Sequence, residues 1–328
     1  MEPAAASSIS MSQLAMAGVL GAGIFFAAWW PLGTYAVTLA VCGVPHVLSE
    51  LRYVDGRFSP RLPRRLWSTL VVLGALVMAS RVVSAAELLP RGWQPTTELS
   101  LLVLLGGAVV PMLLRNACVL GLVSAIVVVS IAAAAWSFPV LTLTIFALVH
   151  NVTPLGFLVE AAAPAERWRT AMVAACVYVG IPVLFVIGVG DLMIDAMGLR
   201  VRDDAPFVSA GTLAQHLSAY VPRGITGDDA RRLFTGAVVA QVFHYHATIV
   251  VMPRLSRRAG DAAPRMRWPS LSSPMVMVPA LLVTLFFFVS FTDARALYGV
   301  AAAFHAWIEL PLLLLCLPSR ASTRGTSR

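Results

Sequence analysis

The chain has 328 residues, of which 59% are hydrophobic and only 12% are charged, and its mean hydropathy is +0.82. A soluble domain carries roughly twice that share of charged residues, so the composition excludes an ordinary soluble protein. The net charge of +8 comes from arginine, because the sequence has no lysine. These arginines cluster in short connections between apolar runs. That distribution indicates a membrane topology and not a nucleic-acid partner.

Ten apolar windows follow one another along the chain, each near the length of about 20 residues that spans a bilayer as a helix. They cover 12–30, 33–51, 67–86, 98–114, 117–136, 138–160, 169–190, 232–252, 273–291 and 297–317. We therefore predict an all-α, polytopic integral membrane helical bundle of about ten transmembrane helices, forming one domain over residues 1–317. The fourth and fifth windows are joined so closely that they should form an antiparallel hairpin. The basic tail, 318–328, is predicted to be disordered.

The distribution of arginine also predicts which helix ends face the cytoplasm. Short connections on the N-terminal side, such as 52–65 and 254–267, are rich in arginine, and most opposite connections carry none or one. Arginine-rich short loops stay inside, so both termini are predicted to be cytoplasmic, in the inner membrane of a bacterium. The long segment 191–231 is predicted to be an extramembrane loop or lid with a short helix at 208–220. Its His216 is predicted to be an ordinary surface histidine.

Five histidines lie inside four of the predicted helices, all running from the outer to the inner side and at overlapping depths. They are His46, His150, His244, His246 and His305. A single one could simply bond a neighbouring helix, but four helices that each carry an imidazole predict a shared metal site. His244 and His246 point about 200° apart on a helix, so only one can face a common centre. We predict His46, His150, His244 and His305 as metal ligands and keep His246 in reserve.

Imidazole ligands suit iron, copper, zinc or nickel. Glu50 and Glu309 each follow a histidine by four residues, which places both side chains on one helix face. They either accept the N–H of a ligand imidazole or bind metal directly, as in a carboxylate-bridged pair of ions; the spacing leaves both open. The four cysteines fall within apolar runs and are predicted to be buried small side chains. They are Cys42, Cys118, Cys176 and Cys316.

Two further polar residues are candidates for substrate binding. Asn151 follows His150 directly and could donate to a substrate oxygen, or it could cap a kinked helix. Arg81 lies inside the third apolar window, where it could hold an anionic head group or extend to the membrane surface.

One short motif resembles a known family. The stretch Gly43-Val-Pro-His46-Val-Leu-Ser-Glu50 is similar to the Gly-x-Pro-His-Gly-x-x-Asp motif of the Brp/Blh-type membrane β-carotene dioxygenases, with Val47 in place of Gly and Glu50 in place of Asp. The resemblance implies a polytopic helical enzyme in which histidines hold non-haem Fe(II). It also implies that His46 is an iron ligand and that a carotenoid-like substrate is cleaved with O2.

Together these features predict a membrane metal-dependent oxygenase that acts with O2 on a lipid-soluble, apolar or isoprenoid substrate. One alternative is a metal-ion or proton transporter, in which the histidines would be strung out along a path. Another is a membrane protein that binds haem through two histidines. The distances among the five imidazoles distinguish a single centre from a path.

Overall fold

The computed structural model describes residues 11–88, 90, 93–222, 224–259, 266, 269 and 272–316. The described chain is helical and contains no strand, as the all-α prediction requires. Its helices are α1 (Met11–Trp29), α2 (Pro31–Phe58), α3 (Arg64–Ala85), α4 (Trp93–Asn116), α5 (Cys118–Ser137), α6 (Pro139–His150), α7 (Pro154–Ala161), α8 (Arg167–Ala175), α9 (Ile181–Val186), α10 (Val189–Ala196), α11 (Leu213–Tyr220), α12 (Gly227–His246), α13 (Met252–Ala259), α14 (Pro274–Val289) and α15 (Phe291–Cys316). The predicted tail, 318–328, lies outside the described residues.

The predicted count of about ten membrane spans is too high. Seven helices of the described chain are long and apolar enough to cross a membrane, or eight if the bent pair α6 and α7 forms one span. Apolar windows overcount because they do not register where a helix breaks. The window at 138–160 is interrupted by a bend of 42°, and the apolar parts of α1, Met16–Trp29, and of α14, Pro274–Val289, are short. The 16 residues of α14 extend about 24 Å, against a hydrocarbon thickness of about 30 Å.

Two of the long spans are continuous through a π-helical turn. Cys176–Gly180 joins α8 to α9, and Ala247–Val251 joins α12 to α13. A π turn shifts the helical phase, so side chains before and after it face different neighbours. The second π turn follows His246 immediately.

The predicted hairpin is confirmed. Only Ala117 separates α4 from α5, and the two helices pack closely enough that a Cβ at Gly121 would lie 2.5 Å from the Leu114 backbone. Further along, a Cβ at Gly106 would lie 2.9 Å from Val128. From residue 106 to residue 114 of α4, the contacting residue of α5 changes from 128 to 121. The numbering rises in one helix and falls in the other, as it does in an antiparallel pair.

Two apolar clusters form the interior, and α2 and α15 run through both. One cluster contains Leu32 to Ala40 of α2 together with Phe234 to Phe243 of α12 and Phe287. The other contains the end of α2, the inner face of α3 and α4, and Ala303 to Leu314 of α15. The middle of α2, around His46, lies between the clusters. Buried polar residues therefore meet where two apolar cores adjoin.

The 191–231 segment contains most of α10, all of α11 and the first turn of α12. Helix α11 begins at a capping box, in which Thr212 Oγ1 accepts the Gln215 N–H and the Gln215 side chain accepts the Thr212 N–H. The prediction for His216 was wrong: its side chain is buried, and Nε2–H donates to the Ala210 carbonyl at 2.8 Å. The turn at 208–210 and Phe291, at the start of α15, cover a ring that the sequence alone places at the surface.

The cysteine prediction was also wrong in part. Cys42 is half-buried, but Cys118 and Cys176 are exposed on the outside of the bundle; the side chain of Cys316 is not among the described ones. A thiol in an apolar run can face lipid as well as a protein core, and hydropathy does not distinguish the two. Several long apolar helices indicate a membrane protein; the side on which its termini lie stays a prediction.

Candidate metal centre

The four imidazoles predicted as ligands come together. One nitrogen from each of His46, His150, His244 and His305 lies within 4.8 Å of the others. Ring centroids are 5.0 Å apart for His46 and His305 and 4.5 Å apart for His150 and His244. Four helices, α2, α6, α12 and α15, each supply one ring. The histidines thus form a cluster and not a path through the bundle.

The spacing of the ring nitrogens is that of ligands around one ion. His46 Nε2 and His305 Nε2 are 3.2 Å apart. With metal–nitrogen bonds of about 2.1 Å, neighbouring ligand atoms lie about 3.0 Å apart in an octahedral and about 3.4 Å apart in a tetrahedral arrangement. The observed separation falls between these two values.

In two of the rings, Nδ1 forms a hydrogen bond on the side away from the cluster, and this bond sets the tautomer of the ring. His46 Nδ1–H donates to the Cys42 carbonyl one turn earlier, at 3.3 Å, which leaves Nε2 with its lone pair toward the other rings. His150 ends α6, and its Nδ1–H donates to Glu309 Oε2 at 2.8 Å. Such bonds orient a metal-binding imidazole and raise its basicity.

The two glutamates serve histidines on other helices, not those one turn away. Glu309 pairs with His150 and not with His305, and Glu50 Oε2 lies 3.6 Å from His244 Nε2. Oxygens of both glutamates and a nitrogen of His305 also lie within 4.8 Å of one another, which makes a second, overlapping group of possible ligands. Each carboxylate can therefore either orient an imidazole or bind a metal ion directly.

Many polar atoms of this cluster have no partner among the described residues. Glu50 is fully buried, and neither of its oxygens accepts a hydrogen bond from a donor side chain or backbone N–H. The same holds for Glu309 Oε1, His305 Nδ1 and both ring nitrogens of His244. The carboxyl group of Glu50 lies beside that of Glu309, with which it can share a proton. Leaving buried polar atoms unpaired costs about 1–3 kcal/mol each, and more for charged groups. The donor set and these orphaned atoms fit a bound cation.

The three remaining sequence candidates lie elsewhere. His246 is half-buried, its Nε2 has no partner, and it is not among the clustered rings. Asn151 Nδ2–H donates to the Ala147 carbonyl at the end of α6, so it caps the break there. Arg81 forms a bidentate pair with Glu98, at 3.0 and 2.8 Å, and donates to the Gly299 carbonyl. These contacts occupy the Arg81 guanidinium and do not support the head-group role.

Two tyrosines that the sequence reasoning missed border the cluster. Tyr298 Oη lies 3.5 Å from His46 Nε2, and the Tyr245 ring lies 4.4 Å from the His46 ring. Tyr298 precedes His305 by seven residues, two helical turns, so the shared face was readable from spacing. Gly43 makes room for this tyrosine, because a Cβ there would lie 3.0 Å from the Tyr298 ring.

Fold and site together define an all-α membrane bundle with a buried cluster of histidines and glutamates that could hold a transition-metal ion. Comparisons with models of protein families, with curated proteins and with solved structures found no match to this chain.

Proposed function

We propose that this protein is an integral-membrane, metal-dependent oxygenase that uses non-haem Fe(II) and O2 on a lipid-soluble substrate. The observation that carries the proposal is the convergence of four imidazoles from four helices within 4.8 Å. Iron, O2 and an isoprenoid or carotenoid-like substrate come from the resemblance around His46. Other transition metals that imidazole favours fit the same donor set.

The lone pairs of the clustered ring nitrogens favour a bound cation. Neutral imidazoles that direct ring nitrogens at one another repel unless a proton or a cation lies between them, and a proton satisfies only one pair. A divalent ion that displaces the protons of Glu50 and Glu309 would give a site of zero net charge, which lowers the cost of burying the ion and both carboxylates. The charge count therefore favours a single divalent ion surrounded by neutral rings.

The geometry disfavours the two alternative functions. A transport path needs binding sites at successive depths in the membrane. The nitrogens of these four rings instead lie within 4.8 Å of one another. Axial histidines of a haem place their nitrogens about 4 Å apart with the porphyrin between them. His46 Nε2 and His305 Nε2 are closer than that, and the remaining two rings occupy the space that a porphyrin would need.

The chain's own residues would prepare the site for oxygen chemistry. Bound Fe(II) would supply the one-electron reactivity toward O2 that organic side chains lack. The histidines would hold it, Glu309 would orient His150, and the two apolar clusters would exclude water. The His150 side chain is 18% exposed while Glu309 is 1% exposed. That partly open edge, beside the break between α6 and α7, supports lateral entry of a substrate from the lipid.

Metal analysis of the purified protein tests the proposal. We expect one iron per chain, no Soret absorption, and O2 consumption that depends on an added isoprenoid such as β-carotene or retinal. Replacing any clustered histidine with alanine should lower the iron content and abolish O2 consumption. His246→Ala is the matched control and should keep both. Full iron content in all four cluster variants would refute the proposal.

A further inference from the structure

Arg295, in the second turn of α15, is half-buried and has no hydrogen-bond acceptor or carboxylate among the described residues. Every other half-buried arginine with a described side chain donates to a carboxylate or a carbonyl. These are Arg52, Arg57, Arg81, Arg167, Arg231 and Arg232. The nearby carboxylate of Asp293 is exposed and accepts from Ser290 instead. Arg295 therefore carries a positive charge in an apolar helix with no counterion in the part of the chain that the structure describes.

Aromatic and polar side chains surround this guanidinium. Its central carbon lies 4.9 Å from the centre of the Tyr220 ring. The Tyr220 and Tyr35 hydroxyls are 2.5 Å apart, and because one proton is used between them, the other remains free to donate. The His216 ring packs edge-on against Tyr35, and its Nδ1 is buried without a partner. Polar groups of α2, α11 and α15 therefore meet around Arg295.

Arg295 and the histidine cluster lie along the same helix. Arg295 precedes His305 by ten residues, about 15 Å along the axis. Tyr298 lies one turn after Arg295 and reaches to 3.5 Å from His46 Nε2. Apolar residues of one core cluster, including Phe291 and Leu39, pack around this stretch of the bundle. A molecule with its polar end at Arg295 would extend its apolar part toward the cluster.

We propose that Arg295, together with the Tyr35 and Tyr220 hydroxyls, binds the anionic head of a single-chain amphiphile whose apolar chain extends toward His46 and His305. A guanidinium has five donors in a planar fork that matches a carboxylate or phosphate. In an apolar setting that pairing also removes the cost of the lone charge. The substrate class is therefore an isoprenoid or alkyl chain that ends in a carboxylate or phosphate. Its status as the substrate rests on the proposed function; its binding does not.

Ligand binding to the purified protein in phosphatidylcholine nanodiscs tests the proposal. The probe is the fluorescent fatty acid cis-parinarate, and stearate and stearyl alcohol are the competitors. We expect stearate to displace the probe and the alcohol to compete at least tenfold more weakly. Arg295→Gln should weaken parinarate binding about ten- to hundredfold, as expected for losing hydrogen bonds to a charged group. Arg295→Lys should recover part of the affinity, and Arg169→Gln, at an exposed arginine, should change nothing.

Two results would overturn the proposal. Equal affinity in Arg295→Gln and the unchanged protein would show that the guanidinium does not bind the head group. Displacement of the probe by phosphatidylglycerol as readily as by stearate would assign the site to a bilayer lipid. Circular dichroism verifies that each variant is folded. Because the assay is run on protein whose iron content is measured separately, a failure here leaves the metal proposal standing, and absence of iron leaves this one standing.

Discussion

Glu309 Oε2 accepts a hydrogen bond from Nδ1–H of His150, a residue 159 positions earlier on another helix, at 2.8 Å. The same glutamate stands one turn from His305, the ring that spacing alone would assign to it. This exchange of partners ties α6 to α15 and directs the remaining nitrogen of His150 toward the other three rings. Glu309 therefore couples the orientation of the His150 ring to the packing of α6 against α15.

Replacing Glu309 with glutamine should weaken metal binding without unfolding the protein. The amide keeps the shape and can still accept from His150, but the charge that raises the basicity of the imidazole is lost. Comparable changes around metal sites cost about 10- to 100-fold in affinity. Iron retention against increasing chelator measures the effect. Glu166→Gln, at an exposed glutamate, is the control; identical retention curves for both variants would contradict the role given to Glu309.

The Arg81 and Glu98 pair should stabilise the fold as a unit. The Glu98 side chain is 1% exposed, so Arg81→Met leaves a buried carboxylate without its cation. Breaking such a pair costs about 3–5 kcal/mol, whereas removing both charges costs much less. We therefore expect Arg81→Met to lower the free energy of unfolding by several kcal/mol. Adding Glu98→Leu should restore most of that loss. Denaturant titration in mixed micelles measures both, and additive losses would argue against the coupling.

Gly43 should tolerate little side-chain volume because of Tyr298. A Cβ there would lie 3.0 Å from the tyrosine ring, so valine must displace the ring and with it the neighbour of His46. Overpacking of this kind costs about 1–3 kcal/mol. Gly107→Ala is the control, since a Cβ at Gly107 meets no atom within 4 Å and should stabilise the helix by about 0.5–1 kcal/mol. Equal thermal stability of Gly43→Val and the unchanged protein would contradict the packing argument.

Helix α11 should loosen below neutral pH because of His216. Burial lowers the pKa of His216 below its ordinary value, the hydrogen bond to Ala210 opposes this, and the nearby Arg295 charge adds to the lowering. The unfolded segment then binds more protons than the folded one. The stabilisation is complete above the ordinary pKa of about 6.5 and is lost as pH falls toward the lowered value. Hydrogen exchange of 213–220 at pH 7.5 and 5.0, corrected for intrinsic rates, should show this, and His216→Leu should not.

The helical class and the four clustered histidines could be predicted from the sequence. Both depend on hydropathy and on the position of a residue within an apolar window, which neighbouring residues in the sequence define. His244 was correctly preferred to His246, since two residues on a helix point in nearly opposite directions. The number of spans was overestimated where a helix is bent, as at 151–153, or short, as in α14. Such breaks depend on packing between helices, which an apolar window does not record.

Side-chain contacts between helices could not be predicted from the sequence for the same reason. The exchange of glutamates between histidines, the pairing of Arg81 with Glu98 and the burial of His216 all depend on the rotation and depth of neighbouring helices. Arg295 was missed because it lies two residues before the apolar window that defined the last helix. Its lack of a carboxylate partner among the described residues depends on how the neighbouring helices pack, which the sequence does not record.

X-ray absorption spectroscopy of the iron-loaded protein tests the central claim most directly. We expect a first coordination shell of nitrogen and oxygen at about 2.0–2.2 Å, with the outer-shell scattering of four imidazoles. That scattering should fall by one imidazole, or the iron should be lost, in each of the four single histidine variants, and His246→Ala should leave the spectrum unchanged. A spectrum with no imidazole scattering, or one unaltered in the His46, His150, His244 and His305 variants, would contradict it.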